Sequence, residues 1–586
     1  MLSRILRSNA ASSYLSGHTK QSAMRVYKDS CREIYIPEEL NLTELLHTSA
    51  VPLAPSHIIA SDSLSNRSLT IGELRSRAGR IAHGLKKAYN PTEGDRWAVI
   101  LPNCVEYIEL FHALLWVGGV GCPINHALKP IELAHALAVS TPQYIFAYGP
   151  SLSNVLAGVR LAKEELAHKG TAWSEPTIIT VIDRDPSYAH APDDFLSCKP
   201  LPIPHYSDTS TRLASIHLSS GTTGAPKGVE LTHYNFVANV HQLYAHDPAQ
   251  FHTASRTVAF TPFVHIAMTT MPLFFGPWTG ALHHAMPAPF NLDTFGKLVS
   301  SVRPTSFQGV PSIALQIANS DLASKYDFSN AEVINCGGAS MTPEIVARLC
   351  SKAPWEIIQV YGMTEGAPYV AYQRKGQKLS AGQIGNFLPN VEAVLKVSGT
   401  SEDAPEGGPG ELWIRGPNIT QRYCGVSAGA NKEAFPEQNG LKWYNTGDVC
   451  TIDQDGIVSV VGRTKELIKY KGFQVSPTEL EAHLNSHPYV IEAGVSAVWD
   501  GSQLTELPTA YVILKPEITD KHTTKALKEI HQHTDGLVSG YKKMRGGVWS
   551  VTKLPKNATG KIVRAQLRDH LTGPCSLHDE PPQAKL

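Results

Sequence analysis

Leu218-Ser-Ser-Gly-Thr-Thr-Gly-Ala-Pro-Lys-Gly-Val229 is the stretch on which the reading of this chain turns. Its small residues, Gly221 and Gly224 among them, leave backbone N–H groups free to approach an anion. Ser219, Ser220, Thr222 and Thr223 add hydroxyl donors, and Lys227 adds a point charge. Together they describe a phosphate-binding loop. It is not a Walker A loop, which needs Gly at 226 and Ser or Thr at 228, where this chain has Pro226 and Gly228. The bland alternative is a flexible Gly/Ser linker. Linkers rarely close in Pro-Lys-Gly and run straight into VELTHYNFV.

Outward from this loop the chain reads as a large globular protein. It has 586 residues, 42% hydrophobic and 18% charged, against about 25% charged in an ordinary domain. That balance excludes disorder and a solvated coiled coil. The 52 Lys and Arg match the 52 Asp and Glu, which excludes a basic nucleic-acid binder and a polybasic membrane adsorber. The nine cysteines are odd in number and form no CxxC pair. A disulfide framework and a zinc knuckle are therefore disfavoured, and a reducing compartment is expected. The most apolar region, Val258–Met286, is broken by Pro262, Pro272 and Pro277. No transmembrane segment is expected.

Leu74, Ala78, Ile81 and Leu85 repeat at the spacing of one helix face. VEYIELFHALLWVGG predicts an apolar helix that stops at Gly118-Gly119. Strand-like runs (YIFAY, TIITVID, TVAFTPF, EVINCGG) alternate with helical patterns such as TPEIVARLCSK. This implies α/β layers with mostly parallel strands. The texture changes after Gly447-Asp448. VCTIDQDGIVSVVG reads as a hairpin turning at Asp455-Gly456. Ser476, Pro477 and Glu479 then predict the N-cap, N1 and N3 of a helix closed by a capping box. The expected organisation is an N-terminal extension over 1–45, a large domain over 46–462 and a small α+β domain over 463–586.

SSGTTGAPKGVELTH resembles the signature of the adenylate-forming enzymes: acyl-CoA synthetases, aryl-CoA ligases, beetle luciferases and peptide-synthetase adenylation domains. The resemblance continues in order through TPFVHIAM, NCGGAS, QVYGMTEG, GELWIRGPNITQRYCG, YNTGDV, GRTKELIKYKGFQV and PKNATGKI. With LTIGEL, GDRWAVILPN and PINHALKPIELAH upstream, it covers about residues 50 to 570. Its flavour is that of the 4-coumarate, phenylacetate and medium-chain acyl-CoA ligases. It implies an α/β fold: a large layered domain of two α/β subdomains plus a small β-barrel-like part, then a smaller mobile α+β domain.

Adenylation brings a carboxylate to an α-phosphate while pyrophosphate leaves, so the site needs cations and donors aimed at the phosphates. Glu365 offers a hard oxygen to Mg²⁺, and Thr364 beside it a hydroxyl to a phosphoryl oxygen. The resemblance places adenine against Tyr361 and Gly362, with Gln359 and the Gly337-Gly338-Ala339 backbone along its edge. It assigns Asp448 to the ribose diol with Arg463 assisting, and a carboxylate can accept two such hydroxyls. It makes Lys561 the adenylation lysine, His265 a wall of the acyl pocket near the carboxylate, and Lys465 the hinge. Rotation at Lys465 is then expected to withdraw Lys561 and present Lys469, Gly472 and Phe473 to CoA. Lys469 and Lys471 equally fit a solvated strand edge. Phe260–Pro272 contains no carboxylate to pair with an ammonium, so an aryl or medium-chain acid is favoured over an amino acid.

The resemblance thus implies an acid–CoA ligase using ATP, Mg²⁺ and CoA. The alternatives are an acyl-AMP ligase that loads a carrier protein, a luciferase-like oxygenase and a non-catalytic nucleotide-binding protein. The sequence ends in Ala584-Lys585-Leu586, a one-residue variant of the peroxisomal Ser-Lys-Leu address. An import receptor is the expected partner and the peroxisome the expected location. The Arg/Ser-bearing start, without an acidic residue before Asp29, leaves a mitochondrial alternative, and a cytosolic one stands beside it.

Overall fold

The computed structural model describes residues 24–28, 33–219, 227–287, 289–338, 341, 343–380, 382–464, 466–471, 473–556, 560–571 and 573–577. Two large sheets carry most of the chain. The first has eight strands, in the order 423–424, 227–232, 213–219, 120–123, 96–100, 144–148, 177–181 and 189–191. From Leu213–Ser219 to Ala189–Ala191 its neighbours are parallel. Lys227–Thr232 instead returns antiparallel to Leu213–Ser219, with Lys227 opposite Ser219. The phosphate-loop segment therefore joins two antiparallel strands, whereas a Walker loop leads from a strand into a helix.

The second sheet is mixed. Ile58–Asp62, Leu282–Ala285, Arg256–Ala259, Ser306–Gly309, Val333–Gly337 and Glu356–Gly362 run parallel. From Glu356–Gly362 onward every pairing is antiparallel: Tyr369–Tyr372, Gln383–Phe387, Val458–Arg463, Tyr444–Ile452, Gly410–Arg415 and Glu392–Lys396. The antiparallel strands that make up the expected barrel-like part are hydrogen-bonded in one unbroken row onto the parallel sheet. Asp448 and Arg463 face each other across adjacent strands of that row.

Local chemistry explains the helices between the layers. Ile71–Tyr89 starts with a capping box of Thr70 and Glu73 and ends at Asn90 in the left-handed region. Leu74, Ala78, Ile81 and Leu85 are fully buried along it. Each large apolar side chain so buried contributes about 1.5–3 kcal/mol. Val105–Trp116 is buried at every position, because it lies between layers. Its first N–H is held by Asp62 Oδ2 at 2.9 Å. None of the described helices is long and apolar enough to cross a membrane.

The small domain packs helices Pro477–Ser486 and Asp520–Leu537 on the antiparallel pair Val490–Asp500 and Thr505–Leu514, with Val548–Ser550 parallel at the edge. The expected hairpin turn is present, Gly456 taking φ +74°. The expected capping box is only half made. Ser476 Oγ accepts from Glu479 N, but the Glu479 carboxylate turns away to Lys542 Nζ at 2.7 and 2.8 Å. A full ammonium is a stronger donor than the N-cap amide, so it takes the carboxylate.

Candidate active site

Glu365 sits in a short turn, Thr364–Gly366, that follows the last parallel strand. It is buried, and its Oε1 accepts a 2.6 Å hydrogen bond from the Tyr423 hydroxyl. The Tyr444 hydroxyl lies 3.1 Å from that of Tyr423. Burial first, and the Glu365 charge second, hold the Tyr423 phenol well above its ordinary pKa, so it remains a donor. No hydrogen bond to Glu365 Oε2 is formed among the described residues. Lys227 Nζ stands 5.2 Å over the Tyr423 ring, a cation–π distance. The backbone of the turn is pinned as well. Thr420 N donates to Glu365 O at 2.8 Å, and Asn418 Nδ2 donates to Gly366 O at 2.9 Å.

On the other side, Asp448 is buried between two donors. Tyr361 Oη donates to Oδ2 at 2.6 Å and Arg463 Nε to Oδ1 at 2.9 Å. Asp448 raises the Arg463 pKa, its largest cause, and burial followed by Asp448 raises that of Tyr361. Tyr361 is partly exposed. A planar surface and a carboxylate acceptor are thereby locked into one unit. Gly362 is required by close approach, since a side chain there would meet the Pro368 carbonyl at 2.5 Å. Gln359 is tied through its backbone to the Gln373 side chain at 2.9 Å.

Lys561 arrives from the small domain. Its loop is closed by the bridge between Lys556 and Ile562 and by Val563 N donating to Pro555 O at 2.9 Å. Arg564, three residues on, is bound to Glu466 and Glu481 at 2.7 Å each. The Lys561 Cε lies 3.6 Å from where a side chain on Gly338 would begin. Lys561 is exposed to the cleft, yet protein surrounds it, and this desolvation lowers its pKa; Arg463 lowers it further, while Asp448, Glu466 and Glu365 oppose the shift. One cation from the small domain thus faces both carboxylates of the large one.

His265 completes the cleft. Burial, with Lys561 as the second cause, pulls its pKa down to about 4, so the ring is neutral near pH 7. Its Nε2 is buried without a partner among the described residues. An orphaned buried ring nitrogen within the electrostatic reach of a cationic amine suits an anionic or polar ligand group.

Among the expected site residues, the structure brings together Lys561, Glu365, Thr364, His265, Lys227, Gly338, Tyr361, Asp448 and Arg463. Ser219 ends the strand before the loop. Lys469 lies elsewhere, on a small-domain hairpin where its N–H donates to Glu506 at 2.7 Å and its side chain is exposed. Ser220, Gly221, Thr222, Thr223, Gly224, Ala339, Lys465, Gly472 and Ala584-Lys585-Leu586 lie outside the described residues, as does the Phe473 side chain. Sequence reasoning missed Tyr423, Tyr444 and Asn418. Tyr423 and Asn418 belong to the quoted GELWIRGPNITQRYCG, but nothing in that string says where their side chains go. Among the described residues no group of three or more His, Cys, Asp or Glu converges on a metal position. Cys104, Cys122, Cys198, Cys336, Cys350, Cys424 and Cys450 form no disulfide.

Comparison with known proteins bears on this geometry. Residues 51–424 match the model of the AMP-binding enzyme family, and residues 479–561 that of the AMP-binding enzyme C-terminal domain. A probable 4-coumarate–CoA ligase of Dictyostelium discoideum is 31% identical over 523 residues, covering 88% of this chain and 92% of the relative. A 4-coumarate–CoA ligase of Pinus taeda is 29% identical, covering 93% and 98%. Among solved structures, an anthranilate CoA ligase in complex with anthranoyl-AMP superimposes with a TM-score of 0.79 at 22% identity, covering 91% of this chain and 98% of the other. A benzoate CoA ligase from Burkholderia xenovorans superimposes at 0.76 and 22% identity, covering 90% and 100%. These two likenesses show the fold.

Proposed function

Because the chain belongs to the AMP-binding enzyme family, we propose that it joins a carboxylic acid to coenzyme A at the expense of ATP, through an acyl-AMP. The observation that carries this reading is the placement of Lys561 between the Glu365 turn, the Asp448–Arg463 pair, Gly338 and His265. In the first step an acid oxygen attacks the α-phosphorus and pyrophosphate leaves. Lys561 balances the charge that builds between the two anions. Tyr361 takes the adenine face and Asp448 the ribose hydroxyls. In the second step the CoA sulfur attacks the acyl carbon and AMP leaves.

Mg²⁺ fits this site through Glu365, where Oε1 is pinned by Tyr423 and Oε2 accepts no hydrogen bond among the described residues; Mg²⁺ commonly uses one or two carboxylates plus substrate phosphates. It would neutralise phosphate charge there.

The acid is an aryl or medium-chain one and not an amino acid. Val310 lies beside Gly338, apolar Val264 and Ala267 stand within two residues of His265, and 260–272 supplies no carboxylate. Relatives named for 4-coumarate, benzoate and anthranilate support the aryl half of this range. Import into the peroxisome through Ala584-Lys585-Leu586 belongs to the same proposal; a fluorescent fusion with and without those three residues tests it.

The enzymatic reading is tested by pyrophosphate release over a panel of carboxylic acids, with and without CoA. Acid-dependent release with thioester formation supports it. Acyl-AMP that accumulates untouched by free CoA favours a carrier protein as acceptor.

A further inference from the structure

A buried histidine, His217, stands beside the site and is not used by the proposed chemistry. His217 lies two residues before Ser219, on the strand that enters the phosphate loop, and it is 2% exposed. Its Nδ1 is 2.9 Å from Ser215 Oγ, and its Nε2 is 2.9 Å from Thr269 Oγ1. Ser215 Oγ donates to Gly121 O at 2.9 Å. Thr269 Oγ1 also lies 2.7 Å from Phe263 O, and Thr269 N donates to His265 O at 2.8 Å. Thr269 therefore closes a short loop of chain with His265 inside it.

Ser215 Oγ gives its proton to Gly121 O and Thr269 Oγ1 gives its own to Phe263 O at 2.7 Å, so each hydroxyl oxygen is left to accept from the ring between them. Burial lowers the His217 pKa to about 3, with His265 as a smaller cause, so the neutral form holds. A neutral ring has one N–H, and in either tautomer the ring nitrogen 2.9 Å away is the side-chain contact that ties Thr269 to the strand of His217.

We propose that His217 is a positioning residue that sets the acid-facing wall, His265, through Thr269; this rests on the ligase reading above. The two ends of the relay are not equally firm. The strand of His217 is fixed in the sheet on both sides, by 120–123 and by 227–232. Phe260–His265 follows the strand Arg256–Ala259 and lies in no strand itself. Asn103 holds the middle of that loop, accepting from Phe263 N at 2.7 Å and donating to Thr261 O at 3.0 Å, so removal of the relay loosens its His265 end and leaves the phosphate-loop strand in place.

The experiment is steady-state kinetics on the full chain, with an acid found active in the panel, for H217F, H217Q, H217N and T269V. His217→Phe and Thr269→Val are each expected to raise KM for the acid about 5- to 10-fold, the scale of one buried hydrogen bond, with KM for ATP within about twofold. Gln carries a polar group to the place of Nε2 and should restore the acid KM. Asn reaches only the place of Nδ1 and should not. NMR should show the His265 ring signals displaced in T269V. Unchanged acid KM in both H217F and T269V, equal rises for acid and ATP, or His265 signals that stay in place in T269V would each overturn the proposal. If H217F fails to fold, T269V carries the kinetic arm. A wild type that releases no pyrophosphate with any acid defeats the ligase reading instead, and the His265 signals then decide the relay.

Discussion

The Tyr423 hydroxyl donates to Glu365 Oε1 across 2.6 Å, and the same ring lies under Lys227. One tyrosine thereby fixes the proposed magnesium carboxylate and the cation that follows the phosphate loop. Tyr423→Phe keeps the ring and removes only the donor. We expect adenylation to slow about 10-fold and the Mg²⁺ concentration for half-maximal rate to rise, because Glu365 loses its fixed rotamer. Pyrophosphate release across a Mg²⁺ titration measures both. An unchanged Mg²⁺ dependence counts against the role given to Glu365.

Asp448 is held by Tyr361 and Arg463. Asp448→Asn keeps the shape but removes the charge that pairs with Arg463. KM for ATP should rise at least 10-fold, since charge-assisted bonds contribute about 1.5–3 kcal/mol each. KM for the acid should move much less. ATP titration at saturating acid checks this, and a larger effect on the acid than on ATP contradicts the assignment.

Arg564 anchors the Lys561 loop to Glu466 and Glu481. Burial raises the Glu481 pKa, and Arg564 is the main opposing influence. Arg564→Ala leaves that carboxyl buried without its cation, a cost of about 3–5 kcal/mol. Thermal unfolding should show the small domain melting before the large one. A single, unshifted transition would show that the triad does not hold the loop.

Burial lowers the pKa of four fully enclosed histidines. His217 and His233 fall to about 3, and His112 and His283 to about 4. Unfolded, each takes up a proton near pH 6.5. Between that pH and about 4 the unfolded chain binds more protons than the folded one, so stability falls as pH falls. It is full above about pH 6.5. Each group contributes a slope of roughly 1.4 kcal/mol per pH unit in that window. Unfolding midpoints from pH 7.5 to 4.5 should drop steeply below 6.5, and His112→Gln should flatten the curve. A midpoint independent of pH in this range contradicts the buried neutral state.

What was legible in the sequence was local. Leu74, Ala78, Ile81 and Leu85 announce a buried helix face because period and burial are set within one helix. The Asp455-Gly456 turn was legible for the same reason. Partners distant in sequence were not. Tyr423 reaches Glu365 across 58 residues, and Tyr361 reaches Asp448 across 87. The order of strands in the mixed sheet brings Tyr361 to Asp448, and Tyr423 reaches Glu365 from the edge strand of the first sheet. The capping box at Ser476 failed for a related reason: Lys542, 63 residues away, competes for Glu479. His217 gave no signal, because an inward position on a strand looks the same whatever it touches.

On the proposed reading Lys561 serves the first half-reaction and not the second. Lys561→Ala should be measured in single turnovers, once from acid and ATP and once from preformed acyl-AMP and CoA. Adenylation is expected to be about 10²–10³-fold slower, the scale of losing a preorganised electrostatic contact, with thioester formation from acyl-AMP within about twofold of wild type. Equal loss in both steps, or unchanged pyrophosphate release, would contradict it.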